Sequence, residues 1–428
     1  MRPTKPSIYL LGLILHSLIN IPLVVSQPQP QATPFNISIP DSDIAFLKQK
    51  LELTRLPDEL DEAGWDYGAP LGDIKRLVAR WKDGYDWKKY EKELNDELPQ
   101  FTRDIEVDGH GVLNVHYVYK KSERKEGGIP LLFVHGWPGS FIEVRKILPL
   151  LTAPVEDGQP SFDVVALSLP GYGFSEGTKK KGFDLTKYAE TGHKLMLALG
   201  YDEYVTQGGD WGYLITRTMA TLYGHTHIKA WHTNMPYVSP PPGLDPSQYT
   251  PEEAAAVKKN EWYYTKGNGY FIEQSTQPQT IGYSLNDSPV GLLAWVYEKL
   301  GSWTDGYGWG DDEVLTWISI YWFSRSGPAA SVRTYYEVAQ MEGGGVDLRR
   351  RSNTNGTIPT GASFFAGDIT TGPLSWFAAE FNVVFHSRHD RGGHFAAYEV
   401  PELLVDDLRR MYGKGGPAYG VVSGKDGY

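Results

Sequence analysis

Two continuous apolar runs, at residues 129–134 and 162–169, and two short strand-like segments, at 204–207 and 228–232, are interspersed with segments of helical period at 185–199 and 211–223. An apolar run of this length, bounded by turns, reads as a strand buried on both faces, and strands joined through helices run parallel. Asp184 caps the first of these helices and Gly200 closes it, while Gly224 ends the second. Residues 112–119 alternate as a strand should, with Val112, Asn114, His116 and Val118 on one side. The pattern predicts an α/β fold: a mostly parallel central sheet with helices on both faces.

The rhythm breaks at Tyr237, shortly before Pro240, Pro241 and Pro242. Residues 237–345 read as helical, aromatic and interrupted by Gly/Trp-rich turns, notably at 303–309. Strands resume at 359–365 and 383–385, and a last helix spans 401–412. An insertion that leaves a parallel sheet and returns to it is a lid over the carboxyl edge of the strands, where such sheets place their sites. The expected organisation is a first core part at 106–236, a helical lid at 237–345 and a second core part at 346–428. Ahead of these, residues 35–105 read as a helical extension. Its first helix starts at Asp41 or Ser42, lines up Ile44, Leu47 and Leu51 on one face, and ends at Pro57. Residues 65–98, rich in Trp, Tyr and paired charges, read as further helix.

Arg2 and Lys5 precede an apolar run at 8–25, and Val24 and Ser26 give a small-residue cleavage pattern before Gln27. This predicts a signal peptide at 1–26 and a secreted protein, followed by a Pro/Gln linker at 27–34. A retained leader would instead anchor the chain to a membrane of the secretory pathway. His16, Asn20 and Pro22 are costly deep in a bilayer, and with the flanks they favour cleavage. Asn36, Asn286 and Asn355 begin glycosylation sequons, the middle one weakened by Pro289. The chain has no cysteine, which excludes disulfides, thiol nucleophiles and thiolate metal sites. A net charge of -11 argues against a nucleic-acid partner, whose phosphates must be met by Lys and Arg. Whether the chain is a monomer or a homo-oligomer is left open.

Gly208-Gly209-Asp210-Trp211-Gly212 lies between a predicted strand and a predicted helix, the setting of a nucleophile elbow. Asp holds the nucleophile position. A carboxylate attacks a saturated carbon and leaves an alkyl ester, which points to substitution rather than ordinary acyl transfer. Taken alone, an Asp capping the next helix accounts for the motif equally well. Gly173-Phe174-Ser175-Glu176-Gly177 fits a serine elbow, but Pro170 separates it from the strand and Lys179, Lys180 and Lys181 follow it, so it reads as a loop. The turn His135-Gly136-Trp137-Pro138-Gly139-Ser140 follows a strand directly; the N–H of Trp137, with that of Trp211, would form an oxyanion hole. His394, in Gly392-Gly393-His394-Phe395, suits a late general base, with His386 and a surface His389 as neighbours. Asp368, just past the strand at 359–365, is placed to orient that imidazole. Each signal is ambiguous by itself, but their order along the chain is the order an α/β-hydrolase fold requires.

These residues resemble the microsomal-type epoxide hydrolase family, including its fungal members. The likeness covers nearly all of the chain after the leader, and its most specific parts are the turn at 135–141, the elbow at 208–212, the stretch 392–397 and the lid segment 268–292. The resemblance implies Asp210 as nucleophile, His394 as base, Asp368 as acid, and Tyr270 and Tyr335 as the lid phenols that protonate the epoxide oxygen. Tyr336 is the neighbouring register for the second phenol. A small-molecule epoxide is the implied substrate, with no metal or organic cofactor. A haloalkane or haloacid dehalogenase is the rival enzyme and would need halide-binding donors in place of paired phenols. A hydrolase-fold binding protein would lack part of the triad, and a serine esterase would need Ser175.

Overall fold

The computed structural model describes residues 32–428 other than 125–126, 154–157, 242 and 341–356. The leader, the first part of the linker, the Asn355 sequon and the boundary at 345–346 therefore lie outside the described residues.

The fully apolar runs become the centre of a nine-stranded sheet. Its strands are β1 (Thr33–Phe35), β2 (Gln100–Val107), β3 (Gly111–Lys120), β4 (Ile129–Val134), β5 (Phe162–Leu167), β6 (Tyr204–Gly208), β7 (Ile228–Thr233), β8 (Thr360–Phe365) and β9 (Val383–His389). They lie in the order β1-β2-β3-β5-β4-β6-β7-β8-β9. From β5 to β9 every pairing is parallel, whereas β1, β2 and β3 add antiparallel strands. β4, β5, β6 and β8 are buried along their whole length, as strands covered on both faces must be. In β3 the buried residues begin with Leu113 and Val115, and Val112 is exposed.

The extension is not wholly helical. It holds α1 (Asp41–Glu52), α2 (Leu71–Asp83) and α3 (Trp87–Glu97), but 33–35 and 100–107 are strands. The first of these corrects the linker reading of residues 33–34 and the second straddles the expected boundary at 105. In β2, Arg103, Asp104 and Glu106 mask the alternation that Ile105 and Val107 carry. Pairing with β3 over eight residues supplies what the local sequence does not advertise.

Around the sheet pack α4 (Ile147–Thr152), α5 (Leu185–Ala198) and α6 (Trp211–Tyr223). Asp184 caps α5 by accepting from the Thr186 N–H, and Gly200 follows its end with φ of 87°. Between β7 and β8 the described chain is helical: α7 (Pro251–Trp262), a π-helical turn Tyr263–Gly267, α8 (Gly269–Thr276), α9 (Pro278–Asp287), α10 (Pro289–Ser302), α11 (Asp311–Trp322) and α12 (Pro328–Ala339). After β8 come α13 (Leu374–Glu380), α14 (Ala396–Glu399) and α15 (Pro401–Tyr412). Among the described residues no helix is long and apolar enough to cross a membrane.

The extension is bound to the lid insertion through α11. Arg80 of α2 makes a two-pronged ion pair with Asp312, and the Tyr90 hydroxyl of α3 donates to the same carboxylate. The Tyr85 hydroxyl pairs with Thr316 Oγ1 at 3.0 Å in a buried setting. Beneath these contacts α2 buries Ile74, Leu77, Val78 and Trp81. Trp81→Ala should therefore destabilise the protein by about 3–5 kcal/mol. Chemical denaturation followed by tryptophan emission would measure this, and a loss under about 1 kcal/mol would mean that α2 is only loosely docked.

Candidate active site

Every sequence-derived site residue of the core lies at the carboxyl ends of parallel strands. β4 runs into the turn His135–Ser140, β6 into Asp210, and β8 into the loop bearing Asp368. His394 follows β9 on the loop before α14.

Asp210 is at the bend between β6 and α6, with φ of 53° and ψ of -126°, a conformation costly for any residue with a Cβ. Glycines make the bend possible. A Cβ on Gly212 would stand 1.9 Å from the Val134 carbonyl oxygen, and one on Gly208 would meet the Gly212 backbone at 2.4 Å. On the facing turn, a Cβ on Gly136 would meet Asp210 Oδ1 at 2.2 Å. Asp210 does not cap α6 with its side chain, which removes the bland alternative for the motif. Instead its Oδ1 accepts from the backbone N–H of Trp137 at 2.7 Å. Trp211 opens α6, where a backbone N–H has no intrahelical acceptor.

The second oxygen, Oδ2, faces His394 Nε2 at 3.4 Å, and His394 Nδ1 meets Asp368 Oδ1 at 2.8 Å. Asp368 Oδ1 also accepts from the Ile369 N–H at 2.7 Å, which fixes the carboxylate. Burial alone would lower the His394 pKa, but the carboxylates of Asp368 and Asp210 overcome this and raise it to about 10. The two carboxylates thus favour the charged form of the imidazole between them.

Above this trio, the insertion brings two phenols together. Tyr270 stacks on Trp137 with ring centroids 5.3 Å apart, and Tyr335 stands edge-on to Trp137 and Trp211 at 5.7 and 4.6 Å. The two phenol rings are 5.9 Å apart. Tyr335 is 2% exposed and Tyr336 is 38% exposed, so the first of the adjacent pair faces inward. Burial, neighbouring phenols and the Asp210 charge push both phenol pKa values well above the usual range. Both remain protonated donors. Among the described residues the buried Tyr335 hydroxyl has no hydrogen-bond partner of good geometry, although the Trp211 indole lies beside it.

The oxyanion turn is held from two sides. His135 is neutral, its pKa lowered to about 4 by burial; its Nδ1 lies 2.9 Å from the Gly136 carbonyl and its Nε2 accepts from the Leu169 N–H. From the insertion, the Trp317 indole donates to the Pro138 carbonyl and the Tyr321 hydroxyl to the Gly139 carbonyl, each at 2.6 Å.

The remaining candidates separate clearly. Ser175 is fully buried; its hydroxyl donates to the Ser168 carbonyl and accepts from the His116 N–H, so it has no role as a nucleophile. His386 is exposed. His389 is not the surface residue expected: it pairs with the fully buried Asp407 at 2.7 Å and stacks on Phe365. Asp407 lies on α15, and nothing local in the charged sequence around His389 announces that partner. Three site neighbours escaped the sequence reading. The Tyr263 hydroxyl is 2.8 Å from that of Tyr270. Trp303 stands edge-on to His394 at 5.0 Å and its carbonyl accepts from the His394 N–H. Lys299 lies under Tyr270. In the sequence only the Gly/Trp-rich segment at 303–309 hinted at Trp303; the π-helical turn that begins at Tyr263, a kind of turn that clusters at functional sites, is visible only in the structure.

A family model described as the epoxide hydrolase N terminus matches residues 32–144, and one described as the alpha/beta hydrolase fold matches residues 129–266. Epoxide hydrolase 1 of Sus scrofa is 36% identical over 411 residues, covering 89% of this chain and 88% of that protein. The chain belongs to the epoxide hydrolase family. The structure of Aspergillus niger epoxide hydrolase is similar to this enzyme with a TM-score of 0.76 and 34% identity, over 88% of this chain and 95% of that one. Juvenile hormone epoxide hydrolase of Bombyx mori gives a TM-score of 0.80 and 30% identity, over 89% of this chain and 94% of that one.

The paired carboxylates make the His394 charge dependent on Asp210. An imidazole raised above its unfolded pKa of about 6.5 stabilises the fold fully below that pH, and this contribution is lost as pH rises through about 10. In Asp210→Asn the His394 midpoint should fall, because one raising charge is gone while burial remains. Imidazole NMR shifts across pH would test this; a midpoint equal to the parent's would disprove the coupling.

Proposed function

We propose that this epoxide hydrolase converts its substrate to a vicinal diol in two steps, through an alkyl ester on Asp210. The observation that carries the reading is the division of labour on one carboxylate: Oδ1 is held by the Trp137 N–H and Oδ2 faces the His394 imidazole.

In the first step Asp210 Oδ2 forms a bond to an epoxide carbon as the carbon–oxygen bond of the ring breaks. Tyr270 and Tyr335 give a proton to the departing oxygen, which would otherwise be a poor alkoxide leaving group. Ester formation removes the Asp210 charge that helped hold the proton on His394. That proton restores the phenol, leaving His394 neutral and able to act as a base. In the second step His394 takes a proton from water, and the resulting hydroxide attacks the ester carbon. Negative charge builds on Oδ1, where the N–H groups of Trp137 and Trp211 receive it. Collapse expels the diol oxygen, protonated by His394, and the new carboxylic acid of Asp210 returns its proton to the imidazole. Asp368 keeps Nδ1 protonated throughout, so that Nε2 is the working nitrogen. The sum is epoxide plus water giving diol.

The substrate is a small-molecule epoxide. The leader-like composition of residues 1–26 supports secretion, and the exposed Asn36 supports glycosylation at the first sequon. Treatment with a glycosidase that removes N-linked glycans would shift the mass of the secreted protein if this is right.

A single turnover in ¹⁸O-water with enzyme in excess should give unlabelled diol and leave label in the peptide containing Asp210. Labelled diol at first turnover would mean direct attack by water and end the ester mechanism. Asp210→Ala should abolish turnover in a protein that still folds. Tyr335→Phe should slow ester formation by about a hundredfold.

A further inference from the structure

Lys299 is the least expected charge near the site. It lies on α10, is 6% exposed, and its ammonium sits over the Tyr270 ring at 4.7 Å from the centroid. The rings of Trp303 and Trp295 lie 5.7 and 5.8 Å from the same atom, so three aromatic faces surround it. Among the described residues its one ion pair is with the neighbouring Glu298. Burying a lysine against rings is expensive unless its charge is used, and ring faces compensate part of that cost. Burial draws its pKa down to about 7, so it can still carry a charge near neutral pH, and Glu298 is its ion-pair partner.

Tyr270 is therefore held between two unlike surfaces, the Trp137 indole of the oxyanion turn and the Lys299 ammonium. Its hydroxyl also has Tyr263 as a partner at 2.8 Å. When Tyr263 donates, the Tyr270 proton is free to point at substrate, and the charge left on Tyr270 as that proton departs is solvated by Tyr263.

We propose that Lys299 is a positioning residue for epoxide opening, acting through Tyr270 by placing a positive charge on the face of the phenol that must lose a proton. This rests on the reading of Tyr270 as a proton donor. A cation at this distance in a water-excluded site favours the phenolate over the phenol, so it lowers the barrier only while the ring is opening. Hydrolysis of the ester, which uses His394 and the oxyanion N–H groups, draws nothing from it.

Pre-steady-state kinetics separate the two steps. Lys299→Met should slow ester formation about tenfold and leave ester hydrolysis at the parent rate. Lys299→Arg, which keeps the charge, should recover most of the loss. In a Tyr270→Phe background, Lys299→Met should have no further effect, because there is no phenol left to assist. Equal slowing of both steps, or additive losses in the double variant, would mean that Lys299 only packs the lid. If Lys299→Met fails to fold, a parental rate in Lys299→Gln overturns the proposal. If Tyr270→Phe itself forms the ester at the parent rate, the proton-donor reading falls; if only the Lys299 variants do, that reading stands and this one does not.

Discussion

The constraint on which the structure turns is the distance between two backbones: the end of β4 and the start of α6. Gly212 lies so close to the Val134 carbonyl that no side chain fits there, and this contact sets how sharply the chain must turn at Asp210. The turn forces Asp210 into a positive φ, at a cost of about 1–3 kcal/mol. The compensation is spread over the fully buried strands on either side and the apolar face of α6. In return the carboxylate is held out of the helix and against Gly136, where one oxygen finds an N–H and the other an imidazole. A relaxed Asp at this point would cap α6 and reach neither.

The oxyanion turn that receives Asp210 is itself only as fixed as its carbonyls, and these are held by α11. Trp317 and Tyr321, one helical turn apart, reach down to Pro138 and Gly139. Asp312 and Thr316, also one turn apart, reach outward to Arg80, Tyr90 and Tyr85 of the extension. The extension thus braces α11, α11 braces the turn, and the turn presents the Trp137 N–H. This gives a physical reason for the extension and the turn at 135–140 to fall together in the matched family model, which runs from 32 to 144.

What could be read from the sequence was what short-range physics specifies. α6 is bounded by the elbow and Gly224, and α15 by Pro401 and the residue before Gly413, because caps and period act over a few residues. The elbow, the oxyanion turn and His394 were legible because glycine spacing records close backbone approach. Tyr335 and Tyr336 could not be ordered by pattern alone, and the resemblance was needed to choose Tyr335; helix rotation buries one and exposes the other. β2 was missed because its charges hide a period that only pairing with β3 reveals. His389 with Asp407, and Trp303 with His394, join segments far apart in the chain, so no local signal exists for either contact.

The electrostatics of the site close on themselves. The carboxylates of Asp368 and Asp210 raise the His394 pKa against the effect of burial, so the charge on the imidazole depends on the charge on Asp210. On the proposed mechanism, esterification of Asp210 removes one of those charges and releases the same imidazole to act as a base. On that mechanism, the charge of Asp210 orders the two half-reactions. The phenols of Tyr270 and Tyr335 are buried and packed against Trp137, the residue whose N–H meets Asp210. One tryptophan thus fixes, through its backbone and its ring, the relative position of Asp210 and the two phenols. A displacement of the turn would misplace both at once, which explains why so much of the lid and extension is devoted to holding it still.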